Sequence, residues 1–152
     1  EDMAEVDVDD ASQMLATFKD KNMMAYFEST RNGTGHKNQN RIEVAGSKGA
    51  IIWDEEKLNE LEYYNDGDPA HVRGFRRVMV GEAIHPYMAN WFPVGHIIGY
   101  GDTFVNEYYD YFTAIKNGEG VTPNFRDGLM VQKVLDAAEQ SAIERKWKKV
   151  QY

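Results

Sequence analysis

Residues 104–115 read FVNEYYDYFTAI and carry the clearest structural signal in this chain. Aromatic and aliphatic side chains recur there at Phe104, Tyr108, Tyr111, Phe112 and Ile115. That spacing lies on one face of an α-helix. Gly118 follows where a helix-ending glycine is expected. Strand patterns precede this stretch and a second helical pattern follows it, so it marks a switch in the chain's architecture.

Upstream, apolar and polar residues alternate with the period of half-buried strands. Residues 13–19 and 23–29 show this alternation on either side of Lys19-Asp20-Lys21-Asn22, which predicts a hairpin. A second hairpin is expected around Gly46-Ser47-Lys48-Gly49. Residues 58–64 and 75–80 are two further strand candidates. The polar residues 31–40, with two glycines, predict a loop.

Downstream, Pro123 opens a second helical pattern with Asp127 near its N-terminus, where a carboxylate is favoured. The basic residues Arg145, Lys146, Lys148 and Lys149 are expected to close that helix, and Val150 to begin a last strand.

Strands followed by helices predict an α+β fold, with a largely antiparallel open β-sheet and helices packed on one face. The length favours a single domain over residues 1–152. An open sheet face carrying Leu15, Met24, Tyr26 and Ile51 predicts that either a second subunit, in a homo-oligomer, or a second domain covers that face.

Composition narrows the classes of function. The formal net charge of -8 argues against a nucleic-acid partner. No apolar run approaches the ~20 residues that cross a bilayer, so no membrane span is expected. The absence of cysteine excludes disulfides, thiolate catalysis and Cys-based zinc sites, and favours a cytoplasmic location. No histidine spacing indicates a metal site, and the GxG triplets at Gly33 and Gly99 lack the context of a nucleotide loop.

The loop before the first helix reads HPYMANWFPVGHIIGYGDTF over residues 85–104 and predicts a ligand-shaped segment. His96 is a candidate for contact with substrate, and the alternative is a structural, hydrogen-bonded histidine. The same alternatives hold for His85. Tyr87 and Trp91 could stack on a sugar face or anchor a core.

A second set of candidates surrounds the polar loop. The Arg31 guanidinium could bind a carboxylate or sugar hydroxyls, or form a surface ion pair. His36 and Asn38 offer hydrogen-bonding groups that suit a polyol, or they belong to a solvated turn. No paired carboxylates or Ser-His-Asp spacing indicate a complete catalytic set, so no catalytic residue is assigned.

Several segments, in order along nearly the whole chain, resemble the C-terminal domain of the Gfo/Idh/MocA family of NAD(P)-dependent oxidoreductases. They are Glu28-Ser29-Thr30-Arg31 with Gly35 and Asn38, Glu43 through Ala50, Gly95 through Tyr100 with Phe104, Pro123 through Gly128, and Leu135-Asp136-Ala137 with Ser141. One departure is the first turn, where the family usually has a glycine and this chain has Asp20-Lys21-Asn22.

The resemblance implies a substrate-binding and dimerisation domain of a dehydrogenase acting on a sugar or cyclitol hydroxyl. NAD or NADP would bind an N-terminal Rossmann domain, which also carries the catalytic lysine; neither is expected on this chain. The implied substrate wall comprises Arg31, His36, Asn38, His85, Tyr87, Trp91 and His96. Two alternatives stay open: a stand-alone sugar-binding or oligomerisation module, and a small isomerase acting through His96 and Arg31.

Overall fold

The computed structural model describes residues 5–152, which form two compact units. The first unit runs to Gly35 and resumes at Thr122–Tyr152, and the second is His36–Val121. In chain order the elements are β1 (Ala11–Phe18), β2 (Met23–Thr30), β3 (Arg41–Gly46), β4 (Gly49–Asp54), β5 (Glu60–Asn65), β6 (Arg76–Met79), α1 (Tyr100–Asn117) and α2 (Phe125–Glu144). The α+β class with antiparallel sheets is confirmed.

In the first unit, β1 and β2 form the predicted antiparallel hairpin, with Leu15 opposite Tyr26. A short 3-10 turn joins the strands and ends at Asn22, whose φ of 47° lies in the left-handed region. Asparagine tolerates that conformation better than most residues, so the hairpin closes without the glycine that the resembled family usually has there.

Helix α2 begins after Asn124, whose side chain accepts a hydrogen bond from the Arg126 amide at 2.8 Å.

The predicted end of α2 was wrong. The helix stops at Glu144, because Arg145 adopts a left-handed conformation with φ of 54°. The Ser141 hydroxyl donates to the Lys146 carbonyl oxygen at 2.6 Å and fixes this turn. The basic residues therefore lie beyond the helix, and Val150 is not in a strand. Basic residues are favoured near the C-terminus of a helix, but this preference does not determine the residue at which the helix ends.

In the second unit, β3 to β6 form a four-stranded antiparallel sheet in chain order. The register places seven apolar side chains on one face: Ile42, Val44, Ile51, Trp53, Leu61, Tyr63 and Val78. We call this the apolar sheet face. The opposite face carries the ion pairs Arg41–Glu43 at 2.7 Å and Arg77–Glu60 at 3.4 Å. Side chains alternate because successive residues of a strand point to opposite faces.

Two sheets, rather than one, carry the residues expected to share an open face. Leu15, Met24 and Tyr26 lie on one face of the β1–β2 hairpin, whereas Ile51 belongs to the apolar sheet face of the other unit. Alternation along each strand was predicted correctly, but the assignment of these strands to one sheet was not.

From Glu5 onward, neither helix combines the length and the apolar character that crossing a bilayer requires.

Candidate functional site

The loop between β6 and α1 contains four of the predicted site residues. Its two ends meet at Asn59, in the turn before β5. The Asn59 carbonyl oxygen accepts from the Val80 amide at 2.8 Å. The Asn59 side chain donates to the Ile98 carbonyl oxygen at 2.7 Å and accepts from the Ile98 amide at 2.8 Å. We call the segment from Val80 to Ile98 the site loop.

The middle of the site loop is bound to α1 by two aromatic residues. The Tyr87 hydroxyl donates to the Asp110 carboxylate at 2.6 Å, and the Trp91 indole N–H donates to the Asn106 side-chain oxygen at 2.9 Å. Tyr87 and Trp91 are four residues apart in the loop, and Asn106 and Asp110 are four residues apart on α1, which is about one helical turn. Tyr87 and Trp91 therefore attach the loop to the helix by hydrogen bonds, and their contact with a sugar stays a prediction.

Backbone strain and an altered pKa mark Tyr87. Its φ of 67° is rare for a bulky residue, and strained residues of this kind cluster at functional sites. The hydrogen bond to Asp110 raises the pKa of the Tyr87 hydroxyl, and partial burial and the charge of Asp110 act in the same direction. The hydroxyl is therefore held as a donor.

The two histidines of the site loop have different surroundings. The Nδ1 atom of His85 accepts from the amides of Gly81 and Glu82 at 3.0 and 3.1 Å, so this ring stabilises its own turn. The Nδ1 atom of His96 lies 2.7 Å from the Pro93 carbonyl oxygen, which can only accept. The proton of neutral His96 therefore sits on Nδ1, and Nε2 is left as an acceptor for another molecule.

The predicted residues of the polar loop gather around Glu56. Its Oε1 atom accepts from the Lys37 and Asn38 amides at 2.6 and 3.4 Å, and its Oε2 atom lies 3.9 Å from Nδ1 of His36. The two amide hydrogen bonds lower the pKa of Glu56, with a smaller contribution from His36. His36 and Asn38 thus belong to an exposed turn that Glu56 holds by hydrogen bonds, and their contact with a polyol stays a prediction.

A cavity of about 330 Å³ opens beside this turn. Its lining consists of Lys37, Asn38, Glu55, Glu56, Leu58 and Tyr100. Asn38 and Tyr100 contribute neutral hydrogen-bonding groups, whereas the carboxylates of Glu55 and Glu56 accept only. The cavity is next to Asn59, which closes the site loop. Of the predicted residues, only Asn38 lines it.

Arg31 belongs to the first unit. It follows β2, and its backbone N–H donates to the Asp10 carbonyl oxygen at 2.8 Å. This bond extends the β1–β2 hairpin by one residue and leaves the guanidinium exposed. The predicted roles of all seven residues in substrate contact stay predictions.

Sequence reasoning missed the residues that hold the loops: Glu56, Asn59, Asn106 and Asp110. One signal was available, because Asn106 and Asp110 have the same four-residue spacing as Tyr87 and Trp91. Nothing in the local pattern singled out Glu56 or Asn59.

Neither helix N-terminus fits the pyrophosphate of a dinucleotide. At α1 the Asp102 carboxylate accepts from the Gly99 amide at 2.8 Å, and at α2 the Asp127 carboxylate accepts from the Asn124 amide at 2.7 Å. A phosphate at either place would meet the negative charge of a carboxylate that already caps the helix.

Similarity to known proteins shows the family of this chain. Residues 2–151 match the model of the Gfo/Idh/MocA family that is described as "Oxidoreductase family, C-terminal alpha/beta domain". The chain belongs to this family. It is similar to a family member, the levoglucosan dehydrogenase of Pseudarthrobacter phenanthrenivorans, with 38% identity over 143 residues.

Two solved structures share the fold. An oxidoreductase domain protein from Kribbella flavida is 43% identical with a TM-score of 0.93, and the match covers 98% of this chain. A levoglucosan dehydrogenase in complex with NADH and levoglucosan is 36% identical with a TM-score of 0.92, also over 98% of this chain. The chain spans 36% of the length of the Pseudarthrobacter enzyme and 40% of each of these structures.

Proposed function

We propose that this chain is the substrate-binding domain of an NAD(P)-dependent dehydrogenase that acts on a hydroxyl of a sugar or cyclitol. Residues 1–152 would form that domain, and an N-terminal Rossmann domain would hold the nucleotide and the catalytic lysine. Family membership supports the oxidoreductase class, and the similarity to levoglucosan dehydrogenase supports a sugar-like substrate. The carboxylates at both helix N-termini support a nucleotide site outside this chain.

The observation that carries the proposal is the exposed His96 Nε2 on a loop held by hydrogen bonds at several points. An unprotonated imidazole nitrogen accepts a hydrogen bond from a sugar hydroxyl. Because neighbouring parts of the loop are fixed, little entropy is lost when a substrate binds to it. This domain would thus bind and orient the sugar, with Arg31, His36, Asn38, His85, Tyr87 and Trp91 as further wall or support residues.

The test uses the complete protein that contains this chain. A panel of sugars and cyclitols is assayed for reduction of NAD or NADP, followed by the absorbance of the reduced nicotinamide. His96→Ala should raise the KM for the sugar by about tenfold, because one hydrogen bond to substrate is lost, and should leave the KM for the nucleotide nearly unchanged. Equal increases in both KM values would contradict a substrate-facing His96.

We further propose that the apolar sheet face pairs subunits. Ile42 and Val44 on the edge strand are 53% and 51% exposed, and Ile51 on the neighbouring strand is 41% exposed. These side chains form an exposed apolar patch on a face that also carries Arg76 opposite Tyr63, and such a patch is typical of an interface. Val44→Asp should dissociate the oligomer in sedimentation velocity, whereas Ala45→Asp, on the opposite face of the same strand, should not. Dissociation by both variants, or by neither, would contradict pairing through this face.

A further inference from the structure

Asn59 makes a different contribution from that of every residue discussed above, because it binds both ends of the site loop. Its backbone oxygen accepts from Val80 at the start, and its side-chain amide forms two bonds with Ile98 at the end. These two side-chain bonds join residues that are 39 positions apart in the sequence. The side chain is partly buried, so water competes poorly for these groups.

The chemistry of this contact demands a carboxamide. Ile98 presents one donor, its amide, and one acceptor, its carbonyl oxygen. The Asn59 side-chain oxygen accepts from the amide, and the side-chain NH₂ group donates to the carbonyl oxygen. A carboxylate of the same shape would accept from the Ile98 amide but would face the Ile98 carbonyl oxygen without a proton to donate. An alanine would make neither bond and would leave both groups of Ile98 without their partner.

The position of the contact links it to the site. His96 precedes Ile98 by two residues, and its own ring is bound to Pro93 on the far side. The backbone of this segment is therefore fixed at Pro93 by the His96 ring and at Ile98 by the Asn59 side chain. Loss of the second point would leave the orientation of Nε2 dependent on Pro93 and on the ring of Phe92, both of which belong to the loop itself.

We propose that Asn59 is a positioning residue that closes the site loop and thereby sets the orientation of His96 toward substrate. Its catalytic consequence rests on the proposed function, but the closure of the loop does not. Asn59 itself touches no reacting atom. Its effect is transmitted through Ile98.

The experiment compares Asn59→Ala and Asn59→Asp with the control Asn65→Ala, all in the complete protein. Asn65 is a matched control because it is also a partly buried asparagine at one end of β5, with two side-chain hydrogen bonds. Those bonds, to Asp68 at 3.0 Å and from Gly67 at 3.1 Å, stay within its own turn. Hydrogen exchange is measured for the amides of residues 81–97, together with both KM values.

Asn59→Ala should accelerate exchange across the site loop by about tenfold and raise the sugar KM by a similar factor, because two partly buried hydrogen bonds are lost. The nucleotide KM should change by less than about twofold. Asn65→Ala should leave the exchange of the loop and both KM values unaltered. Unchanged loop exchange in Asn59→Ala, or equal acceleration in Asn65→Ala, would overturn the inference.

Asn59→Asp provides a second test should the alanine variant fail to fold. Its loop should exchange faster than that of the unmodified protein at neutral pH and recover protection as the introduced carboxyl is protonated, because the protonated form can again donate to Ile98. Protection of the loop that stays constant with pH, after correction for the intrinsic pH dependence of amide exchange, would overturn the inference. If the unmodified protein oxidises no sugar or cyclitol, the proposed function fails, and the exchange data still decide whether Asn59 closes the loop.

Discussion

The hydrogen bond between Tyr87 and Asp110 should contribute measurably to the stability of the folded protein. Its length of 2.6 Å lies in the range of bonds to an ionised carboxylate, which contribute about 1.5–3 kcal/mol when shielded from water. Tyr87 is 38% exposed, so solvent screening reduces the expected value to about 1 kcal/mol. The left-handed conformation of Tyr87 works against this gain, so the bond helps to hold a conformation that the residue would otherwise leave.

A double-mutant cycle isolates this energy. Tyr87→Phe removes only the hydroxyl, and Asp110→Ala removes the carboxylate but also improves the helix propensity of α1. That side effect cancels in the cycle, which leaves the coupling between the two residues. The free energy of unfolding in urea is measured for the unmodified protein, both single variants and the double variant. We expect a coupling of about 1 kcal/mol at neutral pH.

A control cycle and a pH series complete the test. Tyr108→Phe combined with Asp110→Ala should show no coupling, because residues two apart on a helix do not face each other. The pKa of Tyr87 is raised, so its contribution to stability is complete below about pH 10, the value in the unfolded chain, and is lost as the pH rises through the higher folded value. A Tyr87–Asp110 coupling below about 0.3 kcal/mol, the usual error of additivity, would refute the reasoning.

Three further predictions concern single positions. Gly49→Ala should destabilise the protein by about 1–3 kcal/mol in urea unfolding, because the new Cβ would overlap the Tyr64 carbonyl oxygen. The control Gly101→Ala, in the open first turn of α1, should be neutral or stabilising. Equal losses of stability in the two variants would contradict the crowding at Gly49. Asn22→Ala should cost about 1 kcal/mol and Asn22→Gly should not, since only the left-handed backbone distinguishes them; equal melting temperatures for the two variants would argue against that cause. The pKa of Glu56 is lowered by the two amides that it binds, so its contribution is present above about pH 4 and is lost as the pH falls through the folded value; NMR shifts of those amides should follow this titration and stay constant in Glu56→Gln.

Local rules predicted the elements of secondary structure well. Both hairpins, the polar loop and the two helices follow from side-chain period and turn chemistry, which act over a few residues. The left-handed residues Asn22 and Gly118 lie where the sequence predicted a turn and a helix end. The end of α2 was wrong because Arg145 takes a left-handed conformation that residue preference does not predict.

The sequence by itself determined the elements, the acidic character, and the family resemblance that the comparisons confirmed. Only the tertiary structure decided which polar residues hold the site loop. Asn59 reaches Ile98, Asp110 reaches Tyr87, and their side chains are chemically ordinary when considered in the linear chain. Local periodicity cannot predict such pairs, because each bond joins residues from different elements that become neighbours only when the second unit has folded.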